Sequence, residues 1–205
     1  MRLRRIFSSV RGQNSPPRTK EEWDASYIAG DWDYMRRSDE LEHYKTILSE
    51  CYEFGGGRDG DAYILDVCCG EGILLDLLPS DWYTRYVGVD LSDVAIQRAK
   101  DKENEYVSFV REDVRHFQTS ERFSIIVFNE CLYYFQQPLA LLKRYEHYLS
   151  PNGVIIISMY QEHSNQREDL WNRIGASYVI ENEHKIENSK GLIWIVKTVR
   201  PANRR

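Results

Sequence analysis

Residues 68–72 read Cys-Cys-Gly-Glu-Gly and follow the apolar run Ile64-Leu65-Asp66-Val67. Two chemistries compete for such a stretch. Adjacent thiols suggest a metal ligand set or a redox couple. Two glycines suggest backbone left bare so that a ligand can lie against it. Spacing weighs against the thiols. The remaining cysteines are Cys51 and Cys131, and no Cys-x-x-Cys or His-x-x-x-His word exists, so no metal is expected. Cys68 and Cys69 then read as small residues in a ligand turn with Gly70 and Gly72. Asp90 ends the next apolar run, about 20 residues on, where an acid commonly grips ribose hydroxyls.

Composition narrows the classes. The chain has 205 residues with 27 basic and 32 acidic side chains, a net charge of −5. Six of the basic residues and no acid fall in residues 1–20, which leaves 21 basic against 32 acidic residues beyond them. So acidic a body argues against nucleic acid as a partner. No apolar run reaches the ~18 residues of a membrane span. The basic first 20 residues read as a mobile tail, an organelle transit segment being the other reading of that composition. Free thiols without a secretory-type apolar stretch fit a reducing compartment, so a cytoplasmic location is expected.

The elements that must position the turn are legible as Ile/Val-rich runs at 63–68, 86–90, 107–113, 123–129 and 153–160. Runs apolar on both faces belong to parallel strands covered by helices. Helical patterns intervene at 71–78, 92–104 and 138–150, the second opening on Ser92 as an N-cap and the third stopping at Pro151-Asn-Gly. This βαβ series predicts a doubly wound α/β sheet, mostly parallel and seven-stranded. Residues 175–186 and 191–200 read as strands joined by a short turn, hence an antiparallel hairpin at the sheet's end. Residues 21–58, rich in aromatics, read as an N-terminal helical lid on a sheet core spanning 62–200, all within one domain of residues 21–205.

Glycines and Asp90 suit any adenosine cofactor. The nicotinamide fingerprint G-x-G-x-x-G fails, because its positions hold Cys68, Gly70 and Ile73. The word 64-ILDVCCGEG-72, with Asp90, Asp113 and Asn129 at successive strand ends, resembles the first motif and later sites of class I S-adenosylmethionine-dependent methyltransferases. Cys68 departs from that motif, replacing its first glycine. The words 31-DWDY-34 and 130-ECLYYF-135, with Glu40 and Tyr44, resemble the nodulation-type (NodS-like) small-molecule methyltransferases. The resemblance implies a Rossmann-like fold and S-adenosylmethionine as cofactor. It implies that Asp66 steadies the turn and the methionine amino group, while the Cys68–Gly72 backbone faces the cofactor. Asp90 would take the ribose, Leu91 pack on adenine, and Asp113 and the Val114 amide read the adenine edge. Asn129 would lie beside the methionine moiety.

Methyl transfer from a sulfonium needs alignment, dryness and a free lone pair on the acceptor. Trp32, Tyr34, Tyr133 and Tyr134 are candidates for aromatic faces toward the cation. Glu130 and, second, His163 are candidates for the base, and Tyr133, Tyr134 and Tyr160 for substrate contacts with Glu130. No Asn-Pro-Pro-Tyr word marks a DNA-base acceptor, so a small molecule or saccharide is expected; the resemblance to nodulation-type enzymes, which N-methylate an amino sugar, implies nitrogen rather than oxygen. A catalytically silent cofactor-binding subunit is the alternative that the motifs leave open, ahead of a nicotinamide oxidoreductase.

Overall fold

The computed structural model describes residues 18–56, 61–161 and 165–202. His163 and residues 1–17 of the basic stretch lie outside the described residues. Seven strands form one sheet: β1 (Ala62–Val67), β2 (Tyr83–Asp90), β3 (Val107–Arg111), β4 (Phe123–Asn129), β5 (Leu149–Tyr160), β6 (Tyr178–Glu187) and β7 (Ile193–Pro201). Their order is β3-β2-β1-β4-β5-β7-β6. The first five strands pair in parallel, and β7 runs antiparallel to both β5 and β6. Helices are α1 (Lys20–Ile28), α2 (Leu41–Phe54), α3 (Ile73–Leu77), α4 (Asp93–Ala99), α5 (Pro138–Tyr145) and α6 (Asn165–Ser177).

Both sheet faces are buried, which is why the strands read as unbroken apolar runs. Leu65, Val67, Ile126, Phe128, Ile155 and Ile157 point to the side covered by α5 and α6. Ile64, Tyr86, Ile125, Val127, Val154 and Ile156 point to the side covered by α2, α3 and α4. Each such Val, Leu or Ile contributes about 1.5–3 kcal/mol by leaving water. The chain winds outward from β1 to β3 and then returns to β4, so the carboxyl ends of β1 and β4 diverge. That switch point is where an open α/β sheet leaves a crevice.

Four local features differ from the reading of the sequence. The segment 175–177 is helical: α6 runs through it because Leu170, Trp171 and Ile174 share one buried face, and the strand begins only at Tyr178. Pro151-Asn-Gly does not separate helix from strand but lies within β5, where the register jumps from Phe123–Leu149 to Ile125–Val154. Asn152 takes a left-handed backbone there, φ 64°. The third strand stops at Arg111, so Asp113 lies in the turn after it. At the other end, Thr19 caps α1 in a capping box with Glu22, placing a helix start inside the stretch read as tail.

Candidate active site

The Cys68–Gly72 turn alternates left-handed residues: Cys68 (φ 61°), Gly70 (φ 54°) and Gly72 (φ 72°). It is clamped to the end of β2. The Gly70 N–H donates to Asp90 Oδ2 and the Ser92 N–H to Asp90 Oδ1, each at 2.9 Å. The Cys69 N–H donates to the Val89 carbonyl. Asp66, buried at the end of β1, accepts from the Tyr86 hydroxyl at 2.6 Å. Burial pushes its carboxyl up to about 7 despite that bond. Burial also raises Asp90, against the pull of the Ser92 and Gly70 amides.

The cysteines contribute volume. The Cys69 sulfur packs where a Cβ on Gly88 would lie 2.8 Å away. A hydrogen bond with Cys131, then burial, push the Cys68 thiol up, and burial does the same to Cys69. Neither is a thiolate at neutral pH. Among the described residues no group of three His, Cys, Asp or Glu side chains is arranged to hold a metal ion.

A cleft of about 530 Å³ opens over this turn, within the roughly 300–1,000 Å³ of small-molecule sites. Asp66, Cys68, Cys69, Gly70, Asp90, Leu91, Asp113, Val114, Asn129 and Glu130 line it, together with Trp32, Tyr34, Tyr133 and Tyr134. Gly72 does not: it caps α3, and a Cβ there would press on the Phe109 ring at 2.8 Å. Tyr160 does not line it either; its N–H donates to Glu130 and its ring packs edge-on against Trp194. Asp113 is fixed by Arg115, whose backbone N–H, Nε and Nη2 all donate to its carboxylate; burial raises its pKa, but Arg115 more than offsets this and holds it low. Asn129, ending β4, keeps its Oδ1 buried with no partner among the described residues.

Glu130 follows in a left-handed conformation, φ 54°. It accepts from Ser158 Oγ at 3.1 Å, the Tyr160 N–H at 2.9 Å and the Tyr133 hydroxyl at 3.0 Å. Burial nevertheless pushes its carboxyl up to about 7. Tyr133 and Tyr134 stand on a short 3-10 turn, rings 4.7 Å apart.

The cleft's roof comes from α1 and the 3-10 turn Asp33–Arg36. An aromatic chain runs through it: Tyr34 to Trp32 at 6.5 Å, Trp32 to Trp23 at 5.7 Å, and Trp23 edge-on to Tyr134 at 5.0 Å. Trp23 and Tyr27 were missed in the sequence, although their i, i+4 spacing puts them on one helix face. Arg167 of α6, buried in the wall, carried no sequence signal at all.

A family model described as a methyltransferase domain matches residues 35–197, which include all of the sheet except the end of β7. The chain belongs to the methyltransferase domain family. Trp23, Tyr27 and Trp32 of the roof precede the matched region. Nodulation protein S of Bradyrhizobium diazoefficiens is 30% identical over 116 residues, 54% of this chain and 55% of that protein. Malonyl-[acyl-carrier protein] O-methyltransferase 2 of Ilyobacter polytropus is 26% identical over 100 residues, 47% of this chain and 39% of that protein. The chain thus spans about half the length of the curated relatives it matches. Among solved structures, the N-methyltransferase NodS from Bradyrhizobium japonicum WM9, in complex with S-adenosylhomocysteine, superposes with a TM-score of 0.75 at 18% identity. That match covers 91% of this chain and 100% of the other. A 1,6-didemethyltoxoflavin-N1-methyltransferase from Burkholderia thailandensis gives 0.71 at 20% identity, covering 90% and 87%. These structures share the fold. Among the described residues no helix is long and apolar enough to cross a membrane.

Proposed function

We propose that this chain binds S-adenosylmethionine in the cleft and catalyses methyl transfer to a small molecule or the end of a sugar chain, nitrogen favoured over oxygen. The observation that carries the reading is the buried, unpartnered Asn129 Oδ1 in a wall that also holds Asp66 and the bare Gly70 backbone. An acceptor atom without a donor costs about 1–3 kcal/mol and suits a ligand ammonium. Asp66 and Asn129 would hold the amino-acid end, Asp90 the ribose hydroxyls through its remaining lone pairs, and Leu91, Asp113 and Val114 the adenine. When bound, the cofactor supplies an electrophilic methyl carbon on a sulfonium.

The rest is the work of this chain's own side chains. Trp32 and Tyr34 offer aromatic faces to a cation, each worth roughly 0.5–2 kcal/mol. The roof excludes water from the transfer path. Glu130, at a pKa near neutrality, accepts a proton from the acceptor nitrogen at Oε1 or Oε2. Tyr133, Tyr134 and Glu130 form the acceptor side, with Tyr160 acting through its backbone. The preference for nitrogen draws on the N-methyltransferases named above.

Calorimetric titration with S-adenosylhomocysteine tests the reading. Saturable binding is expected, weakened about tenfold in Asn129→Ala, the scale of one hydrogen bond to a charged group. Folded protein that binds neither S-adenosylhomocysteine nor S-adenosylmethionine would overturn it.

A further inference from the structure

Arg167 is 4% exposed, yet it lines the cleft. Its Nε donates to the Tyr160 carbonyl at 3.1 Å, and its guanidinium carbon lies 3.5 Å from the centre of the Tyr133 ring. Its Nη2 is buried with no hydrogen-bond partner among the described residues. A charged donor left unpaired out of water is expensive, and a planar guanidinium is matched by a carboxylate or phosphate edge.

The nearby Glu130 feels its charge, which draws that carboxyl's pKa down against burial, but does not satisfy its free N–H. Glu130 already accepts from Ser158, Tyr160 and Tyr133, and among the described residues no ion pair joins it to Arg167. Arg173, six residues further along α6, lines the same cleft half-exposed and is only loosely paired, its Nη1 3.7 Å from Asp169. Leu170 stands between them, so α6 presents an Arg-Leu-Arg stripe beside the Tyr133–Tyr134 wall. Tyr133 covers one face of the Arg167 guanidinium, which restricts an incoming group to its edge.

We propose that the acceptor carries an oxyanion, a carboxylate or a phosphate, and that Arg167 is the residue that selects it, with Arg173 adding positive charge at the same wall. This rests on the cleft being the methyl-transfer site. The oxyanion anchors the acceptor on α6, while its nucleophilic atom faces Glu130 across Tyr133.

The experiment titrates S-adenosylhomocysteine first, then benzoate, phenyl phosphate or neutral benzamide into the loaded protein at one pH. In wild type at least one anion should bind ten times or more tighter than benzamide, and which anion wins separates carboxylate from phosphate. Arg167→Gln should bring the anions within about twofold of benzamide, and Arg167→Lys should restore part of the preference. Loss of packing alone would weaken all three probes together and leave their ratio unchanged. Anions no tighter than benzamide in wild type, or a preference that survives in Arg167→Gln, overturns the inference. A wild-type protein that fails the first titration instead overturns the functional reading itself.

Discussion

Glu130 combines three features that a surface acid lacks. Its backbone is left-handed, at φ 54°, a conformation costing roughly 1–2 kcal/mol in a non-glycine residue. Its carboxyl is encircled by three donors from β5 and the 3-10 turn. Burial still pushes it up to about 7. A base near the working pH combines a large deprotonated fraction with real proton affinity. Carbon-13 NMR of glutamate-labelled protein should therefore show two carboxyls titrating near 7, Glu40 and one that is missing in Glu130→Gln, with transfer to an amine acceptor falling about 10²-fold in that variant. A midpoint at an ordinary 4 to 5 would remove Glu130 from the base role. The acids at 66, 90 and 130 were legible because an apolar run that stops at a polar residue marks the strand end, where the crevice lies, and Asp113 because it follows such an end by two residues. Which way Gly72 and Tyr160 face was not legible, since it depends on Phe109 and Trp194, brought there by distant segments. Arg167 is the extreme case. Nothing in Asn165-Gln-Arg-Glu-Asp distinguishes a buried arginine from a solvated one.

The roof is an element held by contacts with others. The nine-residue α1 is too short to persist alone in water, and Ser26 is its one buried residue. It is pinned instead from outside. Lys20 pairs with Asp93, Asp24 accepts from Ser92 and Val94 at the start of α4, and Arg36 reaches Glu71 and Asp76. Exposed pairs are worth about 0–1 kcal/mol each, so the roof is held lightly and can open for ligand exchange. Its seat is the Tyr27 hydroxyl over Gly70, where an added Cβ would lie only 2.7 Å away. Gly70→Ala should lift α1 and weaken S-adenosylhomocysteine at least tenfold. Adding Tyr27→Phe should recover part of the loss by removing the clashing oxygen. No recovery would assign the loss to backbone strain at φ 54° and take the roof out of the argument. The parallel strands were readable from their unbroken apolar runs, and the hairpin from its short turn. The helix α6 was not, although Leu170, Trp171 and Ile174 carry its periodicity. The Val/Ile-rich run that follows them drew the strand boundary too far back. Nor was the β5 bulge, because Pro-Asn-Gly is the same word whether it ends a helix or kinks a strand.

For the whole molecule, the buried acids of the site set how stability varies with pH. Burial pushes Asp66, Glu130 and Glu40 each up to about 7. Between the unfolded carboxyl range, near 4 to 4.5, and about 7, the folded chain therefore binds more protons at these three groups than the unfolded chain does. Stability must then fall as pH rises through that window. His43, buried against Trp194, works the other way: burial lowers its pKa to about 3, so the unfolded chain binds the extra proton below about 6.5. One histidine opposes these three carboxyls and Asp90, which burial also raises, and the carboxyls win above about pH 5. Below about pH 4 the sign reverses. There His43 is joined by Asp24, Asp39 and Asp113, held low by Lys20, Lys190 and Arg115 against the cost of burial. The expected profile is a maximum near pH 5, a decline to about pH 7 and a plateau beyond. Urea unfolding at pH 5.0 and 7.5 should differ by at least about 2 kcal/mol in favour of the lower pH, given ~1.4 kcal/mol per pKa unit for each group. Glu40→Gln tests the attribution: its Oε1 is buried without a partner among the described residues, an amide cannot ionise, and the change also relieves the charge repulsion it shares with Glu130. That variant should narrow the difference between the two pH values. Equal stability at both, or a rise toward pH 7.5, would mean that these carboxyls are solvated in the folded chain and that the cleft is wetter than its aromatic walls imply.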